Sequence, residues 1–115
     1  MTSLVEVVER PWGVLKTLKS TDGYLVKEIT VPPGKQCSLH VHQKRDEHWI
    51  VVSGDGQAVV GGEIIEIRPN MHVHLPAGLP HRVINSGLLP LCYIEVVYGG
   101  LDEEDLQKLE CTYDV

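Results

Sequence analysis

From residue 24 to residue 97 the chain is cut into short apolar runs by turn residues at close intervals, and this rhythm limits the folds open to it. Residues 24–31 end at Pro32-Pro33-Gly34, and residues 36–42 follow. Residues 48–52 end at Ser53-Gly54-Asp55-Gly56. Residues 57–60 and 63–67 flank Gly61-Gly62, a two-residue hairpin signal. Residues 71–75 stop at Pro76-Ala77-Gly78, residues 82–84 at Asn85-Ser86-Gly87, and residues 91–97 close the series. Many short strands at this spacing predict an all-β sandwich or barrel. The sequence contains no Phe and only six Trp and Tyr, so Val, Ile and Leu must fill the core. In short runs these residues favour strands.

The two ends read differently. Residues 4–8 are apolar and predict an added edge strand, open to a partner subunit. Near the other end Asp102 can cap a helix, with Glu103, Glu104 and Asp105 in the first turn, where the helix dipole favours anions. A short C-terminal helix is therefore predicted over 102–110, with Leu106 and Leu109 on one face. A chain of 115 residues accommodates one core, and residues 1–115 read as one domain.

Sixteen Asp and Glu against ten Lys and Arg give a net charge of −6, which argues against a nucleic-acid partner. No apolar run approaches the ~20 residues needed to span a bilayer. The first ten residues lack the basic start and apolar centre of a signal peptide. Cys37, Cys92 and Cys111 are scattered and odd in number, which predicts reduced thiols and a cytoplasmic protein.

The chemistry is concentrated in the histidines. His40, His42, His48, His72, His74 and His81 all fall in the middle of the chain. Alternate side chains of a strand share a face, so His40 and His42 point the same way. Glu47 opens the next strand after a short loop, and His81 follows the Pro76-Ala77-Gly78 turn. Together these four form a three-imidazole, one-carboxylate set. Such a mixed N/O set suits one divalent transition ion, Mn, Fe, Co, Ni, Cu or Zn, and not Ca or Mg. Octahedral coordination would leave two positions open for water or substrate, as catalysis requires.

The spacing Gly34-x5-His40-x-His42-x4-Glu47-x6-Gly54, then Pro76-x-Gly78-x2-His81-x3-Asn85, resembles the two motifs of the cupin superfamily, here at residues 34–54 and 70–85. The resemblance implies a double-stranded β-helix, a small antiparallel barrel or jelly roll with the metal inside. Asn70 stands where the second motif usually has Gly, and Asn is the next most tolerant residue of a left-handed backbone. Within the superfamily, Arg10-Pro11-Trp12-Gly13, Tyr24-Leu25-Val26-Lys27, Val31-x-Pro33-Gly34, Arg45-x-Glu47-His48-Trp49-x-Val51-Val52-x-Gly54 and Ile94-Glu95-Val96 are similar to the type II mannose-6-phosphate isomerases. In that family the cupin commonly follows a nucleotidyltransferase, which is absent from these 115 residues. Two further departures are His40, where the family often has Gln, and the Gly-Gly-Leu-Asp-Glu-Glu-Asp run after Tyr98.

Other residues near the set carry expectations of their own. Arg45, between His42 and Glu47, has a fork suited to a substrate phosphate. His72 and His74 alternate with Val73 and Leu75, and sequence leaves open which pair faces inward. If the histidines do, His74 lies near the barrel mouth as an acid–base group. Lys27, carried by the resemblance, could point into the barrel and move a proton. His48 should face away from Glu47, Arg82 away from the metal, and Cys37 outside the pocket.

The resulting expectation is a metal-dependent sugar-phosphate isomerase of the mannose-6-phosphate type. The metal would stabilise an enediolate, and His74 or Lys27 would shuttle the proton. A dioxygenase and a non-catalytic metal- or sugar-binding cupin are the alternatives. The expected partners are a small sugar phosphate and a second copy of the chain in a homodimer.

Overall fold

A computed structural model describes residues 6–99 and the backbone of residues 106–110. Eleven strands appear among them: β1 (Glu6–Arg10), β2 (Gly13–Ser20), β3 (Tyr24–Val31), β4 (Leu39–His42), β5 (Arg45–Ser53), β6 (Gly56–Val60), β7 (Glu63–Ile67), β8 (His72–Leu75), β9 (His81–Ile84), β10 (Leu91–Gly99) and β11 (Leu106–Glu110). All pairings are antiparallel. A six-stranded sheet runs β1-β2-β3-β10-β5-β8, and a five-stranded sheet runs β11-β4-β9-β6-β7. The all-β expectation holds. No helix among the described residues is long and apolar enough to cross a membrane.

The sheets form because each central strand alternates. Along β10, Leu91, Tyr93, Glu95 and Val97 are buried, while Cys92, Ile94 and Val96 are less so. Along β5, Glu47, Trp49 and Val51 point the same way as the buried residues of β10. The core joins Ile29, Val31, Trp49, Val51, Val73, Leu75, Leu91 and Tyr93 of the larger sheet to Ala58, Ile67 and Val83 of the smaller. Trp49 and Tyr93 supply its bulk, with ring centroids 4.8 Å apart. Burying side chains of this size contributes roughly 1.5–3 kcal/mol each.

Two motif residues have structural work. Asn70 is the one non-glycine at positive φ among the described residues (75°), so the left-handed turn between β7 and β8 is kept. Asn85 is buried and ties two turns together. Its Nδ2 donates to the carbonyls of Val31 (2.8 Å) and Leu89 (2.9 Å), and its Oδ1 accepts from Gly87 N–H (2.9 Å).

The ends depart from the sequence expectation. Residues 106–110 are β11, paired antiparallel with β4, and not part of a C-terminal helix. Backbone pairing outweighs the local helix signals here: β4 meets β9 through the single pair His40–His81, and β11 supplies partners along its other edge. Residues 102–105 lie outside the described residues. The predicted N-terminal edge strand is shifted to β1, which among the described residues pairs only with β2. Residues 4 and 5 and Cys111 are likewise outside the described residues.

Candidate metal centre

Two sheets bring the four predicted ligands to one point. On β4, His40 and His42 share a face, and His40 lies directly opposite His81 of β9. Their ring centroids are 5.3 Å (His40–His42), 4.3 Å (His40–His81) and 6.0 Å (His42–His81) apart. The three imidazoles offer nitrogens that all lie within 4.8 Å of one another. Glu47 enters from β5, almost fully buried. Its Oε2 is 3.3 Å from His42 Nε2, and its Oε1 is 3.4 Å from His81 Nε2.

Backbone carbonyls orient two of the rings. His40 Nδ1 is 2.8 Å from the Ser38 carbonyl and His81 Nδ1 is 3.1 Å from that of Leu79. A carbonyl can only accept, so each Nδ1 carries the proton and each Nε2 presents its lone pair. Burial, reinforced by His81, lowers the His40 pKa to about 4; burial, reinforced by Arg45, lowers that of His42 to about 4. Both are neutral at physiological pH. Burial alone would raise the Glu47 pKa, but His81, Arg45 and His42 together hold it well below the usual range. The site therefore presents the neutral imidazoles of His40 and His42 and one carboxylate anion.

Three buried polar atoms here have no hydrogen-bond partner: His42 Nδ1, Glu47 Oε1 and His81 Nε2. Leaving such atoms unpaired costs about 1–3 kcal/mol each. Two of them, on facing ligands, meet without hydrogen-bond geometry. A divalent transition ion satisfies nitrogen and carboxylate donors of this kind, so the residues present fit one.

The other predicted residues separate. Arg45 is at the centre: its Nε and Nη2 donate to Glu47 Oε2 (3.2 and 3.0 Å), and Nη2 lies 2.8 Å from His42 Nε2. Its fork is engaged by the carboxylate and not extended as a free anion site. Lys27 is the register partner of Glu95, on the inward side of β3 with Ile29 and Val31, and is half-buried. His74 is not in the pocket. Val73 and Leu75 take the inward positions of β8 because they are the apolar pair, so His72 and His74 are on the outer face. His48 also faces outward, as expected. Arg82 turns away from the centre, its Nε donating to the Cys37 carbonyl (3.1 Å). Cys37 is buried in the core, where its Sγ accepts from Val83 N–H (3.1 Å).

Glu95 was not singled out from the sequence. It is buried on β10 beside Glu47, and its Oε2 accepts from Trp49 Nε1–H at 2.9 Å. Burial, then the negative Glu47, raises its pKa; Lys27 and Trp49 oppose this. The signal was a carboxylate at an inward position of an apolar alternating strand, which is rarely tolerated without a partner.

Comparisons with known proteins bear on the family and the fold. The chain is 43% identical over 107 residues to the xanthan biosynthesis protein XanB of Xanthomonas campestris, covering 92% of this chain and 23% of XanB. It is 41% identical over 107 residues to a mannose-1-phosphate guanylyltransferase of Escherichia coli, covering 92% of this chain and 22% of that protein. The chain thus spans less than a quarter of these relatives. A Klebsiella pneumoniae protein with a double-stranded β-helix domain superposes with a TM-score of 0.79 at 22% identity, over 90% of this chain and 84% of that one, which establishes the fold. Residues 2–111 match the family model described as mannose-6-phosphate isomerase C-terminal, and the chain belongs to that family.

Proposed function

We propose that this chain is a metal-dependent sugar-phosphate isomerase, interconverting an aldose phosphate and a ketose phosphate, with mannose 6-phosphate and fructose 6-phosphate as the pair its family suggests. The observation that carries the reading is the convergence of His40, His42, His81 and Glu47 inside the barrel. These four residues would hold the ion. A bound divalent ion supplies Lewis-acid polarisation of substrate oxygens. Glu47 contributes the one anionic donor, and the Ser38 and Leu79 carbonyls hold the His40 and His81 rings in place.

Substrate handling falls to Arg45 and Lys27. Arg45 reaches the centre from the first residue of β5, and its guanidinium can exchange Glu47 for the anionic end of a substrate. Lys27 Nζ is the candidate for carrying the proton between adjacent carbons of the sugar. Glu95 accepts from Trp49 and packs beside Glu47, which positions the ligand carboxylate. A second copy of the chain would pair through the open edge of β1, where Val7 is 52% exposed, and light scattering that gives a monomer at micromolar concentration would refute that dimer.

The deciding experiment loads the purified chain with Mn2+, Co2+, Ni2+ or Zn2+ and measures mannose 6-phosphate turnover. Turnover is expected, and Arg45→Ala should lower it roughly ten- to a hundredfold while metal content is retained. A metal-loaded protein that isomerises no hexose phosphate removes the isomerase and leaves a metal-binding barrel.

A further inference from the structure

The six histidines divide into two groups built on one plan. The inner group is a His-x-His pair on β4 plus the residue directly opposite its first member, His81 on β9. The outer group is a His-x-His pair on β8, His72 and His74, plus the residue directly opposite its second member, His48 on β5. Residues i and i+2 of one strand and the cross-strand neighbour of either form a triangle on one face of a sheet, with side chains a few ångströms apart. In each group a carboxylate lies nearby: Glu47 inside and Asp46 outside, the latter 3.8 Å from His74 Nε2.

The outer imidazoles already touch. His48 Nδ1 lies 2.9 Å from His72 Nε2. The His48 and His74 rings are stacked 4.4 Å apart, and Tyr98 meets the edge of the His48 ring at 5.9 Å. Among the described residues the cluster's contacts are with one another, with Asp46 and with Tyr98, and none of the three is in the core cluster. β8 is an edge strand of the larger sheet, at the end opposite β1, so this cluster stays open to solvent even if a second copy pairs along β1.

We propose that His48, His72 and His74 form a second, outward-facing site for a borderline transition-metal ion such as Zn2+, Ni2+ or Cu2+. Imidazole nitrogen suits these ions, and three of them leave a coordination position for water or Asp46. His48 and His72 contribute nitrogens that are already adjacent. His74 stacks on His48 with its Nε2 3.8 Å from Asp46, so joining the site requires its half-exposed ring to turn toward the other two. The site uses none of the inner residues, so it stands or falls independently of the isomerase reading.

Zn2+ stoichiometry, read by competition with a chromophoric chelator, tests it. Wild type should bind one equivalent more than the His72→Ala/His74→Ala double variant. That difference is expected whether the inner centre binds one ion or none, which separates the two readings. His48→Gln should lower the outer equivalent's affinity by at least roughly tenfold, and the His48, His72 and His74 ring signals in NMR should shift together on Zn2+ addition. These residues lie on the outer face, so circular dichroism of the variants should match wild type. Equal stoichiometry in wild type and folded double variant overturns the proposal.

Discussion

The Glu95→Gln substitution tests the electrostatics of the centre most directly. Glu95 is buried beside Glu47, and burial and that negative neighbour raise its pKa from the ordinary 4.5 to about 8. The folded protein therefore retains a proton that the unfolded chain has released once pH exceeds the ordinary carboxylate value. With more protons bound in the folded state, stability falls as pH rises through this window and levels off above the folded pKa. One proton sets the steepest slope, about 1.4 kcal/mol per pH unit. Between pH 5 and pH 7.5 (assay values chosen inside the window) wild type should lose on the order of 3 kcal/mol relative to Glu95→Gln. The amide is isosteric, accepts from Trp49 as the carboxyl does, and does not titrate. The assay is urea unfolding of both proteins, followed by circular dichroism, at several pH values with a chelator present. Two parallel stability curves, offset equally at all pH values, would refute the reasoning and show that Glu95 is ionised in the folded chain.

Glu47→Gln removes the one anionic donor and should weaken ion binding at the inner centre roughly ten- to a hundredfold or more, measured by chelator competition. It should also lower the Glu95 pKa, moving the pH window just described toward acid. Asn85→Ala deletes three hydrogen bonds and leaves the Val31 and Leu89 carbonyls without their donor, so it should destabilise the fold by about 2–4 kcal/mol in urea unfolding without changing the ion stoichiometry of the protein that remains folded.

Much of the fold was legible in the sequence because strand alternation and turn chemistry act locally. The 24–31 and 63–67 runs are β3 and β7 with unchanged limits, and the others differ by a few residues at their ends. The His40–His42 pair could be placed on one face because a strand's period is 2. The approach of Glu47 and His81 rested on the motif, since nothing in the chain's local pattern says that β5 and β9 converge on β4. Tertiary pairing decided the rest. Residues 106–110 carry helix signals yet supply the edge partner that β4 needs, and backbone hydrogen bonds outweigh a capping preference. The orientation of His72 and His74 was undetermined because alternation fixes which side chains share a face, not which face meets the core. Packing resolved it by burying Val73 and Leu75. Glu95 shows the same division: its sequence marks an inward carboxylate, but only the register of β10 against β3 and β5 sets it among Trp49, Lys27 and Glu47. The sequence by itself thus determined the strands between residues 24 and 97, the turns that join them and the ligand types, which depend on neighbours along the chain, but not β2 or β11. The tertiary structure alone decided the faces, edges and charge neighbours, because those depend on contacts between residues far apart in sequence.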